Sequence, residues 1–138
     1  MTSRAPNALL DASALLAYLR REPGGEVVLN VLTAGASITT INYAEVLARL
    51  SDAGEDPTSA HHRFQAQGLI GGPVTIVAMT LDDAVTIARL HGATRSQGLS
   101  LADRACLAVG LRLGLPVLTA DRKWAEVDVG VMVRLMRT

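Results

Sequence analysis

Short apolar runs alternate along the chain with longer stretches in which apolar residues recur at helical spacing. The short runs predict strands, and they are "NALLDAS", which ends at Asp11, "ASITT", "VTIVAMT", "LPVLTAD" and "VGVMVRLM". Segments such as "NYAEVLARLSDAG" and "TLDDAVTIARLHG" show helical periodicity and end at a glycine. Strands separated by helices favour an α/β fold with a mostly parallel central sheet of about five strands, covered by helices on both faces.

Length and composition indicate the number of domains, the make-up of the core and the net charge. A chain of 138 residues fits a single domain, so we expect one domain over residues 1–138. The hydrophobic fraction is 49% but the aromatic fraction only 3%, which indicates a core of Ala, Val, Leu and Ile. The 13 basic and 13 acidic residues cancel, so net charge gives no reason to expect nucleic-acid binding. All the basic residues except Lys123 are arginines, which are well suited to phosphate.

Cys106 is the only cysteine, and it cannot form an internal disulfide. The first residues, "MTSRAPNALL", lack the pattern of a signal peptide, and no apolar stretch is long enough to span a membrane. We therefore expect a cytoplasmic protein that does not contact a membrane. Cys106 lies within the apolar part of a predicted helix, so we expect it to fill the core.

Four acidic residues lie close to positions where this architecture binds ligands. Asp11 and Asp121 follow predicted strands, Glu45 falls in the first turn of a helix after a strand, and Asp103 begins another helix. Ligands of open parallel sheets bind beyond the carboxyl ends of the strands, at the point where the strand order reverses. We therefore expect the four carboxylates to face one crevice.

Helix capping explains three of these acids without any ligand. Asp11 could cap the helix that starts near Ser13, and Asp121 could cap the "RKWAEV" turn. Ser100 and Asp103 have the spacing of a capping box, in which the two side chains satisfy free backbone N–H groups. At this point both interpretations stay open.

Glu45 has structural alternatives of its own. It could form a capping pair with Asn42, or an ion pair with Arg49 one turn further along the helix. However, capping requires only Ser, Thr or Asn, whereas four carboxylates at one crevice repel one another. A divalent cation removes that repulsion, and carboxylates are the ligands that Mg²⁺ and Mn²⁺ prefer.

Four segments of the chain together resemble a known family. "LLDASALLAYL", "NYAEVLARL", "SLADRACLAVGLRLGLPVLTAD" and the overlapping "TADRKW" resemble, in order and spacing, the acidic motifs of PIN-domain ribonucleases, and most closely the VapC-type toxins of bacterial toxin–antitoxin pairs. The resemblance covers essentially the whole chain. It implies a three-layer α/β/α domain and a toxin that cleaves RNA as a Mg²⁺- or Mn²⁺-dependent endoribonuclease.

The resemblance also assigns residues and partners. It makes four carboxylates the catalytic metal ligands, and these are Asp11, Glu45, Asp103 and Asp121. Ser13 and Thr119 match polar positions that border such a site. The implied partners are the RNA substrate, a small cognate antitoxin and a second copy of the chain in a homodimer. The apolar segments "VLNVLTAG" and "AHHRFQAQGLI" could supply the interaction surfaces.

Three basic residues adjoin the acids and are candidates for holding the RNA backbone, namely Arg104, Arg122 and Lys123. Surface charge without a ligand is the alternative for each. Trp124 could stack on a base, although packing against the last strand is the favoured interpretation. A catalytically silent PIN-like domain that binds RNA or protein is the alternative to a ribonuclease.

Overall fold

Five short strands form one parallel sheet. The structure, a computed structural model, describes residues 7–137. The strands are β1 (Leu9–Leu10), β2 (Ala36–Thr39), β3 (Val74–Val77), β4 (Val117–Thr119) and β5 (Val133–Leu135). The helices are α1 (Ala12–Leu19), α2 (Gly25–Ala34), α3 (Thr40–Asp52), α4 (Pro57–Ala66), α5 (Leu81–Ala93) and α6 (Leu101–Leu113). Two 3₁₀ segments cover Arg95–Gln97 and Arg122–Glu126. All four strand pairings are parallel, as predicted.

The central strand shows how the sheet separates two cores. Successive side chains of a strand point to opposite faces, and both residues of β1 are fully buried. Leu10 packs with residues of α1, α2, α3 and α4, whereas Leu9 packs with residues of α5 and α6. Val117 and Leu118 of β4 divide in the same way. The three-layer α/β/α prediction is therefore confirmed.

All five strands are shorter in the structure than the predicted segments, and the first and the last lose the most residues. "NALLDAS" yields only β1, because Asp11 already acts as the N-cap of α1 and turns the backbone out of the sheet. "VGVMVRLM" yields only β5, and Gly130, which lies within the same run three residues before this strand, has a φ of 93°, outside the extended region.

Helix α6 lies very close to the sheet at Gly110. A Cβ atom at this position would lie 2.9 Å from Cγ2 of both Val117 and Val131. These contacts are shorter than normal carbon–carbon packing distances. The absence of a side chain at Gly110 therefore allows α6 to approach β4.

An ion pair joins α5 to α6 on this face of the sheet. The Arg112 guanidinium donates to Asp83 from Nε at 2.9 Å and from Nη2 at 3.0 Å, one bond to each carboxylate oxygen. Asp83 is only 2% exposed. Its carboxylate also accepts from the backbone N–H of Thr80 in a capping box at the start of α5.

Two sequence predictions concern the same core. Cys106 is fully buried, as predicted for core filler. Trp124 is also fully buried and packs with the α5 and α6 residues and with Val133 of the last strand, which agrees with the packing interpretation. No helix within residues 7–137 has the length and apolar character needed to cross a membrane.

Candidate active site

The strand order reverses at β1, and this reversal creates the crevice that the sequence predicts. From β1 the sheet continues to β2 and β3 on one side and to β4 and β5 on the other. Ligands bind at such a switch point, beyond the carboxyl ends of the strands. Asp11 directly follows β1, and Asp121 lies two residues after β4. Both acids are therefore placed at the switch point.

Asp11 is a buried carboxylate whose two oxygens are both held in place. Oδ1 accepts from the backbone N–H of Ala14 at 2.9 Å and from the Ser13 hydroxyl at 2.7 Å. Oδ2 accepts from the Thr119 hydroxyl at 2.5 Å. Asp11 is 5% exposed. It caps α1, as the capping interpretation expects, but it is held by more bonds than a cap requires.

Thr119 and Ser13 connect the ends of β1 and β4. The Thr119 hydroxyl, which donates to Asp11, also accepts from the backbone N–H of Asp121 at 3.0 Å. The Ser13 hydroxyl accepts from the backbone N–H of Ala120 at 3.0 Å. These bonds fix the position of Asp121 relative to Asp11. The Asp121 side chain caps the following 3₁₀ segment by accepting from the backbone N–H of Lys123 at 3.0 Å.

Asp103 forms the capping box that its spacing predicts. Its Oδ2 accepts from the backbone N–H of Ser100 at 2.9 Å, and the Ser100 hydroxyl accepts from the backbone N–H of Asp103 at 3.1 Å. Oδ1 of Asp103 accepts no hydrogen bond from the described residues, 7–137. The box thus occupies one carboxylate oxygen and leaves the other available.

The structure overturns both structural alternatives for Glu45. The N-cap of α3 is Thr39, whose hydroxyl accepts from the backbone N–H of Asn42 at 2.9 Å, so the Asn42–Glu45 capping pair is wrong. An ion pair between Glu45 and Arg49 is also wrong, because no pair of their charged atoms lies within 4.0 Å. Glu45 is half-buried on α3, beyond the first turn in which the sequence predicted it, because the helix begins at Thr40.

Asn42 is a positioning residue that the sequence analysis missed. It is 1% exposed, and its Oδ1 accepts from the Thr39 hydroxyl at 2.6 Å. Its Nδ2 donates to the carbonyl of Ala102 at 3.0 Å, which ties the start of α3 to the start of α6. This bond holds Glu45 and Asp103 on neighbouring helices. The spacing of Thr39 and Asn42, three residues apart, signals the cap at the start of α3 but not the bond to Ala102.

The charges of three of the acids act on the same buried region. Burial raises the pKa of Asp11 to about 6, the hydrogen bonds from Thr119 and Ser13 oppose this rise, and the charge of Asp103 adds to it. Burial also raises the pKa of the Cys106 thiol, and the charges of Asp11, Asp103 and Glu45 raise it further. Cys106 therefore lies beneath a region of concentrated negative charge.

The side chains have the oxygen ligands that Mg²⁺ and Mn²⁺ prefer. Within residues 7–137, however, no three His, Cys, Asp or Glu side chains lie close enough together to hold a metal ion in this conformation. Asp11 is fixed, whereas Glu45, Asp103 and Asp121 are half-exposed. The donor set therefore fits a hard divalent cation in chemistry.

The predicted RNA-binding residues lie in two different settings. Arg122 and Lys123 are exposed beside Asp121, with Lys123 Nζ 3.7 Å from Asp121 Oδ2. Arg104 is half-buried, and it donates from Nη1 to the carbonyl of Ile87 at 3.0 Å, which links α6 to α5. Contact of these residues with RNA stays a prediction.

The PIN domain family matches residues 8–130 of the chain. No curated protein matches it in sequence. Among solved structures, the chain resembles a chain of a toxin–antitoxin complex from Klebsiella pneumoniae, with a TM-score of 0.68 and 19% identity over 91% of this chain and 96% of that one.

Two further solved structures show the same fold. FitAcB from Neisseria gonorrhoeae superposes with a TM-score of 0.65 and 24% identity, covering 91% of this chain and 95% of that one. VapC20 from Mycobacterium tuberculosis, a sarcin–ricin loop cleaving toxin, gives a TM-score of 0.67 and 13% identity, covering 91% of this chain and 99% of that one. At such identities the likeness establishes a shared fold.

Proposed function

The chain belongs to the PIN domain family, and from this we propose that it is a metal-dependent endoribonuclease and the toxin of a toxin–antitoxin pair. The observation that carries the proposal is the buried Asp11 carboxylate, held by three hydrogen bonds at the switch point of the sheet. Removing a carboxylate from water is costly unless a cation or several donors compensate for it. Such a fixed charge suits a group that must hold one orientation during catalysis.

The proposed metal ligands are the four carboxylates at the switch point, Asp11, Glu45, Asp103 and Asp121. A Mg²⁺ or Mn²⁺ ion bound there supplies a water of lowered pKa and neutralises charge on the phosphoryl oxygens. Thr119 and Ser13 orient Asp11 from two directions, so its carboxylate does not have to reorganise when substrate binds. Asn42 keeps α3 and α6 together and so keeps Glu45 near Asp103.

The products follow from this assignment. Attack by water in line with the leaving 3′ oxygen yields a 5′-phosphate and a 3′-hydroxyl. A metal-free ribonuclease that uses the RNA 2′-hydroxyl requires a positioned general base, most often His. His62 and His91 are exposed on α4 and α5, and His61 Nδ1 lies 2.8 Å from the Tyr43 hydroxyl. Within residues 7–137, none of the three forms a hydrogen bond with Asp11.

The test is cleavage of RNA by the purified protein. We expect total cellular RNA incubated with Mg²⁺ to acquire new 5′-phosphate ends, which sequencing of ligated ends will map. Excess chelator should abolish these ends, and so should Asp11→Asn. Asp82→Asn is the matched control, because it removes an exposed carboxylate of α5 outside the proposed ligand set and should cleave as the parent does.

Two outcomes would contradict the proposal. Cleavage that persists in chelator, or products that end in a 2′,3′-cyclic phosphate, would exclude the metal-dependent mechanism. RNA binding without any cleavage in Mg²⁺ or Mn²⁺ would favour the alternative, a catalytically silent PIN-like domain that binds RNA or protein.

One groove on this chain is the proposed binding surface for a helix of the antitoxin. A groove of about 1030 Å³ runs between α2 and α4, with Leu29, Phe64 and Leu69 among its apolar lining residues. Leu29 is 48% exposed. Both helices contain the apolar segments expected from the sequence to mediate contacts, and a solved relative is described as a toxin–antitoxin complex. Co-purification with a co-expressed antitoxin, lost on Leu29→Asp, tests this assignment.

Homodimer formation, a cytoplasmic location and a single domain over residues 1–138 stay predictions.

A further inference from the structure

A second depression lies directly beside the acidic site. It has a volume of about 270 Å³ and includes Ser13 and Glu45, which belong to the site, together with three arginines, Arg20, Arg49 and Arg137. None of these arginines was singled out as an RNA-binding candidate from the sequence. They come from α3, from the residue after α1 and from the residues that follow β5. We call Arg20, Arg49 and Arg137 the arginine cluster.

Two members of the arginine cluster are linked through the backbone. Arg20 Nη2 donates to the carbonyl of Arg49 at 3.2 Å, which holds the end of α1 against α3. A guanidinium has five N–H donors, so this bond leaves most of the Arg20 donors available. The Arg49 side chain makes no hydrogen bond within residues 7–137.

Arg137 is held by a different set of contacts. Its Nη1 donates to the carbonyl of Pro23 at 2.8 Å. The preceding residue, Met136, is 4% exposed and packs so closely on Gly24 that a Cβ there would lie 2.6 Å from Met136 Cε and 3.3 Å from Arg137 Cβ. Gly24 has a φ of 92°, which also favours glycine. The last described residues are thus seated so that Arg137 reaches the depression.

The arginine cluster is not neutralised by the acids around it. Glu22 and Glu45 line the same depression, yet within residues 7–137 no carboxylate lies within 4.0 Å of a charged nitrogen of Arg20, Arg49 or Arg137. Three guanidinium groups gathered in one depression repel one another. An anionic ligand would relieve this repulsion, and guanidinium groups match the geometry of phosphate oxygens.

We propose that the arginine cluster binds a phosphate of the RNA strand next to the one that is cleaved. This inference rests on the proposed function, because it takes the acidic site to be the place of cleavage. Glu45 and Arg49 are four residues apart on α3, so their Cβ atoms are about 6 Å apart along one helix face. A strand crossing the acidic site therefore brings an adjacent backbone phosphate within reach of the cluster.

The experiment measures binding and cleavage separately. Binding of a fluorescein-labelled 20-nucleotide single-stranded RNA is followed by anisotropy at several salt concentrations, with Ca²⁺ present and the RNA checked on a gel. The variants are Arg20→Gln, Arg49→Gln and Arg137→Gln, and the control is Arg134→Gln, an exposed β5 arginine that lines a cavity at the opposite end of the strands. Arg49→Gln removes charge without removing a side-chain hydrogen bond, so it tests the inference even if another variant unfolds.

We expect each cluster variant to bind RNA about fivefold more weakly than the parent and to lower the slope of log K against log salt by about 0.7, the value for one phosphate contact on a single strand. Arg134→Gln should match the parent. With Mg²⁺, the cluster variants should raise KM and leave kcat nearly unchanged.

Specific results would overturn the inference. It fails if the cluster variants keep the parent affinity and salt slope, or if the parent does not bind the RNA. Loss of antitoxin binding with unchanged RNA binding would assign the arginine cluster to an acidic protein segment instead. Failure of the proposed function looks different, because then the parent binds the RNA through the cluster but does not cleave it with any divalent ion.

Discussion

Asp103 caps α6 and is also a proposed metal ligand, and the substitutions Asp103→Asn and Ser100→Ala separate these two roles. In Asp103→Asn, the amide oxygen still accepts from the Ser100 N–H, which Asp103 Oδ2 now binds at 2.9 Å. The weaker cap should therefore cost at most about 1 kcal/mol of unfolding free energy, and relief of the repulsion with Asp11 offsets this cost. In Ser100→Ala, the backbone N–H of Asp103 loses the hydroxyl that accepts from it at 3.1 Å, so about 1 kcal/mol of stability should be lost while the carboxylate is kept.

Catalysis should respond in the opposite order. Asp103 Oδ1 is available to a cation, and its charge is the part of the side chain that an amide lacks. Asp103→Asn should then lower kcat/KM for RNA cleavage by at least about a hundredfold, which corresponds to about 2.7 kcal/mol of transition-state stabilisation. Ser100→Ala should cleave at close to the parent rate, since it removes no metal ligand.

Thermal unfolding adds a second measurement that does not depend on activity. Asp103 raises the pKa of Asp11 through charge repulsion, so Asp103→Asn should hold or raise the Tm of chelator-treated protein. The rise in Tm on adding Mn²⁺ should become smaller, because stabilisation by a ligand follows its affinity. Parent-like cleavage together with a full Mn²⁺ shift in Asp103→Asn would refute the ligand assignment and leave Asp103 as a helix cap.

Two further predictions concern stability. Gly110→Ala should lower the unfolding free energy measured in urea titrations by about 1 kcal/mol, because the clash of the new Cβ with Val117 costs more than the gain in helix propensity. Gly92→Ala, which has no heavy atom within 4 Å of its new Cβ, should instead raise the unfolding free energy by up to about 1 kcal/mol. Equal effects of the two substitutions would contradict the packing explanation. Burial raises the pKa of Asp83, but hydrogen bonds from Arg112 and Thr80 lower it more, to below the ordinary 3.8. The stability that ionised Asp83 contributes is therefore present above pH 3.8 and is lost as the pH falls through the lowered pKa of the folded state. The difference in unfolding free energy between the parent and Asp83→Asn should thus be constant near neutral pH and become smaller in acid. An unchanged difference at pH 3 would contradict this.

The order of helices and strands was readable from the sequence because hydrophobic period and caps agree at most boundaries. Thr80 with Asp83 and Ser100 with Asp103 mark the starts of α5 and α6, and both capping boxes form. Strand length was not readable, since β1 keeps only two residues of its apolar run. A strand lasts only as long as its neighbours pair with it, and that information is not local to the segment.

The candidate site could also be predicted only in part from the sequence. Its acids could be chosen from the sequence because the carboxyl ends of parallel strands share one edge. The roles of Asn42 and Arg137 could not, because each depends on a carbonyl distant in sequence, at Ala102 and Pro23. Contacts of this kind follow from how helices pack, and no spacing within one segment encodes them.

The structure also changes what the clustering of acids implies. Asp11, Asp103 and Asp121 all lie at the N-terminal end of a helix or 3₁₀ segment and accept from backbone N–H groups there. The positive end of the helix dipole and these N–H groups favour negative charge, so the fold itself offsets part of the repulsion among the carboxylates. Capping and metal binding are therefore compatible in one side chain, because capping occupies one carboxylate oxygen of Asp103 and leaves the other without a hydrogen bond from residues 7–137. It follows that the presence of the acids alone does not require a cation, and that the loss of the Mn²⁺-dependent rise in Tm is the measurement that distinguishes a ligand from a cap.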